Sequence, residues 1–490
     1  MLLSAISIMI SMAINFILTP YITNTVGAEA YGFVSLARNF ISFANILMIA
    51  LNSYASRFLT ISYLQKDTKR FHQYYSTVFI ADFIVGGILF LLGLIYIFNI
   101  KMFLNVSSNL LKDVQLLFLL TFASFYLTTL STIFSATAYV KDKLGILNVI
   151  KCMSYIAEAF VLLGCYICFR PYIWYVGLAS LGMAVITFGG SVIMTNRILP
   201  KVHIKISHFS IEAVKELLLN GLWNSANSLG NSLNSGLDLL ITNLMLNELA
   251  MGQVSIAKTL SGIVYQLYET ISQPFQPTFL RNYSQKDKTQ LLDNLKQAMC
   301  ICGMFTNTIF AGFCAIGVDF LGLWIPTQNI KLIYGLTILA MLPSIAEGCM
   351  YPAYYIYTLT LKNKIPCIVT IIGGAVNVGA MYILLKYTKM GAFAVLITTA
   401  VVMAVVNLVT NPIYMSKCLK IKSRYIYSTL IKNILACGAA TVVLVGINSR
   451  MQLSTTWKAF VVKLVMLAFV GIVIQVPILF SKQIVKKLNK

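Results

Sequence analysis

Gly32-Phe33-Val34-Ser35-Leu36-Ala37-Arg38 is echoed 220 positions later by Gly252-Gln253-Val254-Ser255-Ile256-Ala257-Lys258. Both stretches lie in apolar segments long enough to span a bilayer, and both set one cation at the same place. A charge at mid-membrane costs roughly 2.5–3.5 kcal/mol even on the lenient insertion scales. Two such charges at equivalent sites of a repeat point to a purpose: two sides of one anion-binding cavity. The repeat extends further. Tyr63-Leu64-Gln65-Lys66-Asp67 matches Tyr283-Ser284-Gln285-Lys286-Asp287 in the same register, and Lys141-Asp142-Lys143 matches Lys362-Asn363-Lys364 at an offset of 221.

Composition settles the solvent. The chain has 490 residues, 58% hydrophobic and 11% charged, with mean hydropathy +0.81. A soluble domain of that composition would lack the polar surface to cover itself. Apolar runs of about 20 residues, the length that spans a bilayer, fall near 3–22, 32–56, 76–98, 114–139, 147–169, 172–195, 218–246, 252–275, 296–321, 332–358, 365–385, 391–414, 429–447 and 458–480. The expected fold is therefore an all-α polytopic membrane protein of about 14 transmembrane helices. Ala28-Glu29-Ala30 mimics a signal-peptidase site, but no basic region precedes the apolar start, so residues 1–22 are read as a retained helix.

The formal net charge is +22. Nucleic-acid binders carry such an excess on basic patches with aromatic platforms; here it sits in short loops, and no nucleic-acid partner is expected. One alternating set of loops, with the C-terminal tail, holds 26 Lys and Arg, among them Arg57, Lys66, Lys201, Lys286, Lys420 and Lys490; the opposite set holds 8. By the positive-inside rule the richer set, and with it both termini, is cytoplasmic. The ten cysteines lie mostly in apolar segments, as small packing residues do. Cys165 and Cys168 have metal or redox spacing but no second pair or histidine nearby. No HExxH, P-loop or strand-flanked GxGxxG occurs, so neither a metal hydrolase nor an ATPase engine is expected, and no cofactor.

The repeat divides the chain into an N-lobe, 1–196, and a C-lobe, 218–415, of six helices each. A cytoplasmic linker, 197–217, joins them, and 416–490 adds two helices and a basic tail. Ile211, Val214, Leu217 and Leu218 stand at helical spacing, so the linker is expected to hold an interfacial amphipathic helix. An even helix count gives both lobes one orientation, related by a pseudo-two-fold along the membrane normal.

Ionisable residues inside spans face a bundle interior or a wet cavity. Arg38 and Lys258 are the leading candidates for an anionic headgroup; the alternative is a structural ion pair, for instance Lys258 with Asp238. Lys258 and Glu269 stand 11 positions apart, close to three turns, on one side of a helix and roughly 16 Å apart along its axis. Glu269 could exchange a coupling cation or proton, or simply pair with another helix. Asp82 and Glu158 are further coupling-ion or ion-pair candidates, without repeat counterparts of the same type. Arg57 and Arg281 end their helices on the cytoplasmic side, where they could guide an anion inward or anchor helix ends. Lys463 lies outside the repeat and is expected to snorkel. Pro20, Pro274, Pro277, Pro343 and Pro352 mark places where spanning helices can bend.

The first helix pair also carries a family pattern. Val26-Gly27-Ala28-Glu29-Ala30-Tyr31-Gly32-Phe33, followed by Ser35-Leu36-Ala37-Arg38, resembles the start of bacterial polysaccharide flippases of the multidrug/oligosaccharidyl-lipid/polysaccharide exporter superfamily. Asp238-Leu239-Leu240-Ile241, with Gly252 to Lys258 after it, is similar to that family's helix 7–8 signature. One departure is that this chain opens almost directly in a span, without the family's short basic leader.

The resemblance implies an inner-membrane flippase with alternating access for an undecaprenyl-diphosphate-linked oligosaccharide in O-antigen, capsule or exopolysaccharide synthesis. It also implies coupling to H+ or Na+, and a polymerase and chain-length regulator of the same pathway as partners. Arg38 and Lys258 match positions where such cavities carry basic residues. A multidrug and toxin extrusion antiporter of the same fold would export cations, against which paired cations argue. A glycan polymerase or glycosyltransferase would need large loops or catalytic domains, which the loop lengths do not provide. Helices 2 and 8 begin on the periplasmic side, so Arg38 and Lys258 are expected to meet the diphosphate in the outer part of its path, and Arg57 and Arg281 in the inner part.

Overall fold

The computed structural model describes residues 2–200, 202–452 and 454–488, with side chains between residues 9 and 480 apart from 11. Lys201 and Lys490 lie outside the described residues, as do the side chains of Lys482, Lys486 and Lys487 in the tail. Every regular element among the described residues is helical, and the chain forms two compact units, Met1–Gly252 and Gln253–Lys490.

The first unit contains α1 (Leu2–Thr25), α2 (Ala28–Asn52), α3 (Ala55–Leu64), α4 (Thr68–Phe98), the short α5 (Ile100–Phe103), α6 (Leu111–Val140), α7 (Leu144–Cys168), α8 (Trp174–Ile198), α9 (Ile211–Ser235) and α10 (Asp238–Met245). The second follows α11 (Glu248–Ser272), which crosses the division. It contains α12 (Gln276–Ser284), α13 (Lys288–Trp324), α14 (Ile330–Met341), α15 (Ser344–Leu359), α16 (Lys364–Tyr387), α17 (Ala392–Val405), α18 (Asn411–Leu419), α19 (Arg424–Asn448) and α20 (Trp457–Leu488). Eleven stretches among the described residues are long and apolar enough to cross a membrane. The other three spans expected coincide with helical stretches outside those eleven: α1 and the more polar pairs α9–α10 and α11–α12. Phe83, Ile84, Ile88, Leu91, Leu92 and Ile95 are all exposed along α4, a patch that only hydrocarbon covers at no cost.

Each half of the repeat folds its first turn in the same way. After α3 the chain turns through Lys66 at φ +60°, and after α12 through Lys286 at φ +57°. Asp67 N–H donates to the Ser62 carbonyl at 3.0 Å, and Asp287 N–H to the Asn282 carbonyl at 3.0 Å. Both are the six-to-one bonds of a left-handed helix ending. Asp67 and Asp287 then cap α4 and α13, accepting from Arg70 N–H at 3.0 Å and Gln290 N–H at 2.9 Å. Each cap is worth about 1 kcal/mol. The later match needs a correction of register. Left-handed residues sit at Asp142 and Leu361, an offset of 219, so the backbone equates Lys143 with Lys362. The second turn is one residue longer before its helix starts.

At three of the five prolines expected to bend helices, the helices break. Pro343 separates α14 from α15, and Pro274 and Pro277 stand where α11 gives way to α12 through a 3-10 turn, Gln273–Phe275. Pro20 and Pro352 stay inside continuous helices. A further irregularity is the π-helical turn Val406–Thr410 between α17 and α18.

Two local expectations change. Residues 211–217 are the first two turns of α9 itself, and only a 3-10 turn, Ile206–His208, precedes them in the connection. Ser210 starts the helix by accepting from Ala213 N–H at 3.4 Å, and no breaker interrupts 211–235. Lys463 does not snorkel. It is buried, and its Nζ lies 2.8 Å from Asp319 Oδ2, because α20 packs on α13 deep enough to leave no route to water.

Although α9 belongs by sequence to the second repeat, it packs within the first unit. Gly221 lies so close to α2 that a Cβ there would stand 2.0 Å from the Ala50 carbonyl oxygen. Ser225 Oγ donates to the Ile46 carbonyl at 2.7 Å. At the break after α9, Asn39 Nδ2 donates to the Gly236 carbonyl at 2.9 Å. Small residues allow this backbone approach, as in membrane helix pairs generally.

Candidate functional site

Within the first unit, α2, α6 and α8 enclose a cavity of about 490 Å³. The α2 wall is Arg38, Ile41, Asn45, Met48, Ile49 and Asn52, one broad face of a helix. Thr121, Ser124, Thr128, Thr129 and Thr132 of α6 face it, with Ser180 of α8. Thr121, Ser124 and Thr128 give their protons to backbone carbonyls, so their oxygens are left to accept. The wall therefore offers hydroxyl acceptors, two carboxamides and one guanidinium. That volume is within the range of small-molecule sites.

Arg38 is half-buried, and its Nη1 donates to Asn15 Oδ1 of α1. Its charge acts on Glu158 of α7, which is buried. Asp82 of α4 is fully buried behind the α2 wall, where Asn52 Nδ2 donates to its Oδ1 at 2.9 Å. Asp238 is fully buried in the first turn of α10, where a helix N-terminus favours negative charge. Arg57 is exposed on α3, its guanidinium 5.9 Å from the Tyr54 ring centre, and it lies outside the cavity wall.

In the second unit, Lys258 and Glu269 are both half-buried on α11. Gly262 and Tyr265 fall between them on the same face, and a Cβ on Gly262 would meet nothing within 4 Å, so this face borders open space. Glu269 lies near Tyr351 of α15, whose hydroxyl is 3.4 Å from that of Tyr265. Glu347 lies near Tyr268, whose ring centre is 5.1 Å from that of Tyr351. The Glu269 position is thus built into a tyrosine network between α11 and α15. Arg281 is exposed on α12.

One group of residues escaped the sequence reading. Asn220, Asn224, Asn227, Asn231 and Ser235 are all exposed on α9. Their spacing of four, three, four and four places them on one stripe, roughly 22 Å long at 1.5 Å per residue. The side chains of Asn224, Asn227 and Asn231 make no hydrogen bond among the described residues. In hydrocarbon each would leave its amide unsatisfied at a cost of several kcal/mol, so this stripe faces water or a polar ligand. The signal was in the sequence: the run Asn224-Ser225-Ala226-Asn227-Ser228 is uncharged, and a search for charges passes over it.

Three comparisons bear on this geometry. A family model described as "Polysaccharide biosynthesis protein" matches residues 1–282. The chain is 28% identical over 409 residues to the uncharacterized membrane protein EpsK of Bacillus subtilis (strain 168), covering 84% of this chain and 81% of that protein. Among solved structures, the lipid II flippase MurJ in an inward closed conformation shares the fold with a TM-score of 0.72 at 15% identity, over 99% of this chain and 100% of that one. An inward-facing multidrug resistance transporter of the MATE family, in the MOP superfamily, shares it with a TM-score of 0.66 at 14% identity, over 84% and 96%.

Proposed function

Because this chain belongs to the family of polysaccharide biosynthesis proteins, we propose that it is a flippase carrying an undecaprenyl-diphosphate-linked oligosaccharide from the cytoplasmic to the outer leaflet of the bacterial inner membrane. The glycan would serve O-antigen, capsule or exopolysaccharide synthesis, with the polymerase and chain-length regulator of that pathway as partners. The observation that carries this reading is a cavity at membrane depth whose charged wall residue is Arg38, set among hydroxyls and carboxamides. A diphosphate needs a cation to cross hydrocarbon, and sugars need acceptors and donors; the wall and the α9 stripe supply both. A polyprenyl tail can remain in lipid. A cationic drug would meet Arg38 as a like charge, which argues against an antiporter of the multidrug type. Alternating access, with H+ or Na+ as the driving ion, completes the cycle.

Complementation of a strain lacking the gene tests the reading. Arg38→Ala and Lys258→Ala are each expected to lower export roughly 10- to 100-fold at unchanged protein level, the equivalent of one charge-assisted hydrogen bond of about 1.5–3 kcal/mol. Arg38→Lys should recover part of it, since the charge stays and the fork is lost. Asn227→Leu and Asn231→Leu should impair export of the glycan while leaving the protein inserted. Wild-type export by the Arg38→Ala, Lys258→Ala double variant would defeat the proposal. Reporter fusions at Lys66, Lys201, Lys286 and Lys420 should report the cytoplasm; an external signal from 197–217 would overturn the orientation.

A further inference from the structure

Behind the first-unit cavity, Asp82 and Asn52 form a pair that is one proton short. Asp82 is fully buried. Its Oδ1 accepts from Asn52 Nδ2 at 2.9 Å, while among the described residues its Oδ2 has no partner, and Asn52 Oδ1 has none either. Turning the Asn52 amide over does not help, because its oxygen would then face the carboxylate. Two buried acceptors are orphaned side by side, each at a cost of about 1–3 kcal/mol, more for a charged group.

Among the described residues no counter-ion relieves the carboxylate: its hydrogen-bond partner is Asn52, and no cation stands in a salt bridge with it. The elements packed on α4 are α2, α3, α5, α6, α9 and the Ile206–His208 turn; His208 of that turn lies beside His72, ten residues before Asp82, and Lys101 of α5 is exposed. Arg38 of α2 lies 14 residues from Asn52, roughly 21 Å along the helix. Arg57 of α3 is exposed. On α6, Asp113 lies near the far end of the helix. On α9, Glu216 accepts from Tyr74, two turns of α4 away from Asp82, and Glu212 and Lys215 stand in the same N-terminal turns. An unpaired buried charge costs several kcal/mol, and no described side chain offsets it.

We propose that Asp82 and Asn52 form a proton-binding site that exchanges with the cavity. A proton on Asp82 Oδ2 removes the charge and supplies the missing donor, with Asn52 Oδ1 as its acceptor; the acid and the amide then satisfy each other twice. Asn52 is also part of the cavity wall, so the same side chain gives the proton its way in and out. Asn52 is the last residue of α2 before the break to α3, which puts the site at the interruption between those two helices. Any role in driving transport rests on the flippase reading; the proton site itself does not.

Infrared difference spectroscopy on the purified full-length protein tests it without substrate. Wild type should show a carboxylic-acid carbonyl band that disappears on alkaline titration and is lost from Asp82→Asn, a neutral replacement of the same shape. Asn52→Leu should keep the band but shift it, because the acid loses its amide partner. Identical spectra for wild type and Asp82→Asn would overturn the proposal. So would a sodium-dependent thermal stabilisation that Asp82→Asn abolishes, which would make the site a sodium site. Export by Arg38→Ala reports on the flippase reading separately, so the two can fail independently.

Discussion

Lys463→Met should destabilise the protein by about 3–5 kcal/mol, the cost of stripping one partner from a buried ion pair. Lys463 and Asp319 side chains are 5% and 1% exposed. Lys463 Nζ also donates to the Gln452 carbonyl at 3.2 Å, and Asp319 Oδ2 accepts from Ser454 N–H at 3.0 Å. Removing the ammonium leaves Asp319 charged, enclosed and short of its main donor. These bonds join α20 and the connection before it to α13, so α20 should come loose first. Reduced membrane yield and a lower unfolding midpoint in detergent are the readouts. Asp319→Asn placed in the Lys463→Met background should restore much of the loss, because the stranded charge goes with it. Lys458→Met, at an exposed position one residue into the same helix, should be near neutral. A wild-type midpoint for Lys463→Met would show that α20 is held by its apolar face alone.

Gly252→Ala is expected to have the second large effect. A Cβ at Gly252 would stand 2.1 Å from the Ala28 carbonyl oxygen, 2.4 Å from its carbon and 2.8 Å from Glu29 nitrogen. All three are backbone atoms at the start of α2, and none can rotate aside. Gly32 meets the same place from the other direction, its Cβ position 2.9 Å from Gly252 Cα. The glycines that open the two echoed motifs are thus packed on each other. Overpacking of this kind costs about 1–3 kcal/mol or more. Gly252→Ala should therefore lower the thermal midpoint and impair export together. Gly438→Ala is the control: nothing lies within 4 Å of its Cβ position, and an alanine in mid-helix gains up to about 1 kcal/mol in propensity. Equal midpoints for the two variants would mean that the Gly32–Gly252 packing is dispensable.

Much of this was legible in the chain. The spans follow from runs of apolar residues against a fixed bilayer thickness. The turns at Lys66 and Lys286 follow from short-range hydrogen bonding, and so repeat bond for bond. The match at Lys141 slipped by two residues because three basic-turn residues align well in either register, while the left-handed position allows one. Arg38 was found because its charge is conspicuous in an apolar segment. The asparagine stripe on α9 carries no charge to mark it in an apolar sequence, although its helical period is there to count.

The sequence by itself determined what depends on neighbours in the chain: which segments cross the membrane, where they bend at Pro274, Pro277 and Pro343, how each half begins, and to which family the protein belongs. Only the tertiary structure decided which distant groups meet. Lys463 finds Asp319 across 144 positions, Asp82 finds Asn52 and, among the described residues, no cation, and Gly32 finds Gly252. The reason is physical. Periodicity and solvent preference act locally and leave a mark in one dimension, whereas the partner of a buried charge or the space beside a glycine is set by how helices pack, which no single segment encodes.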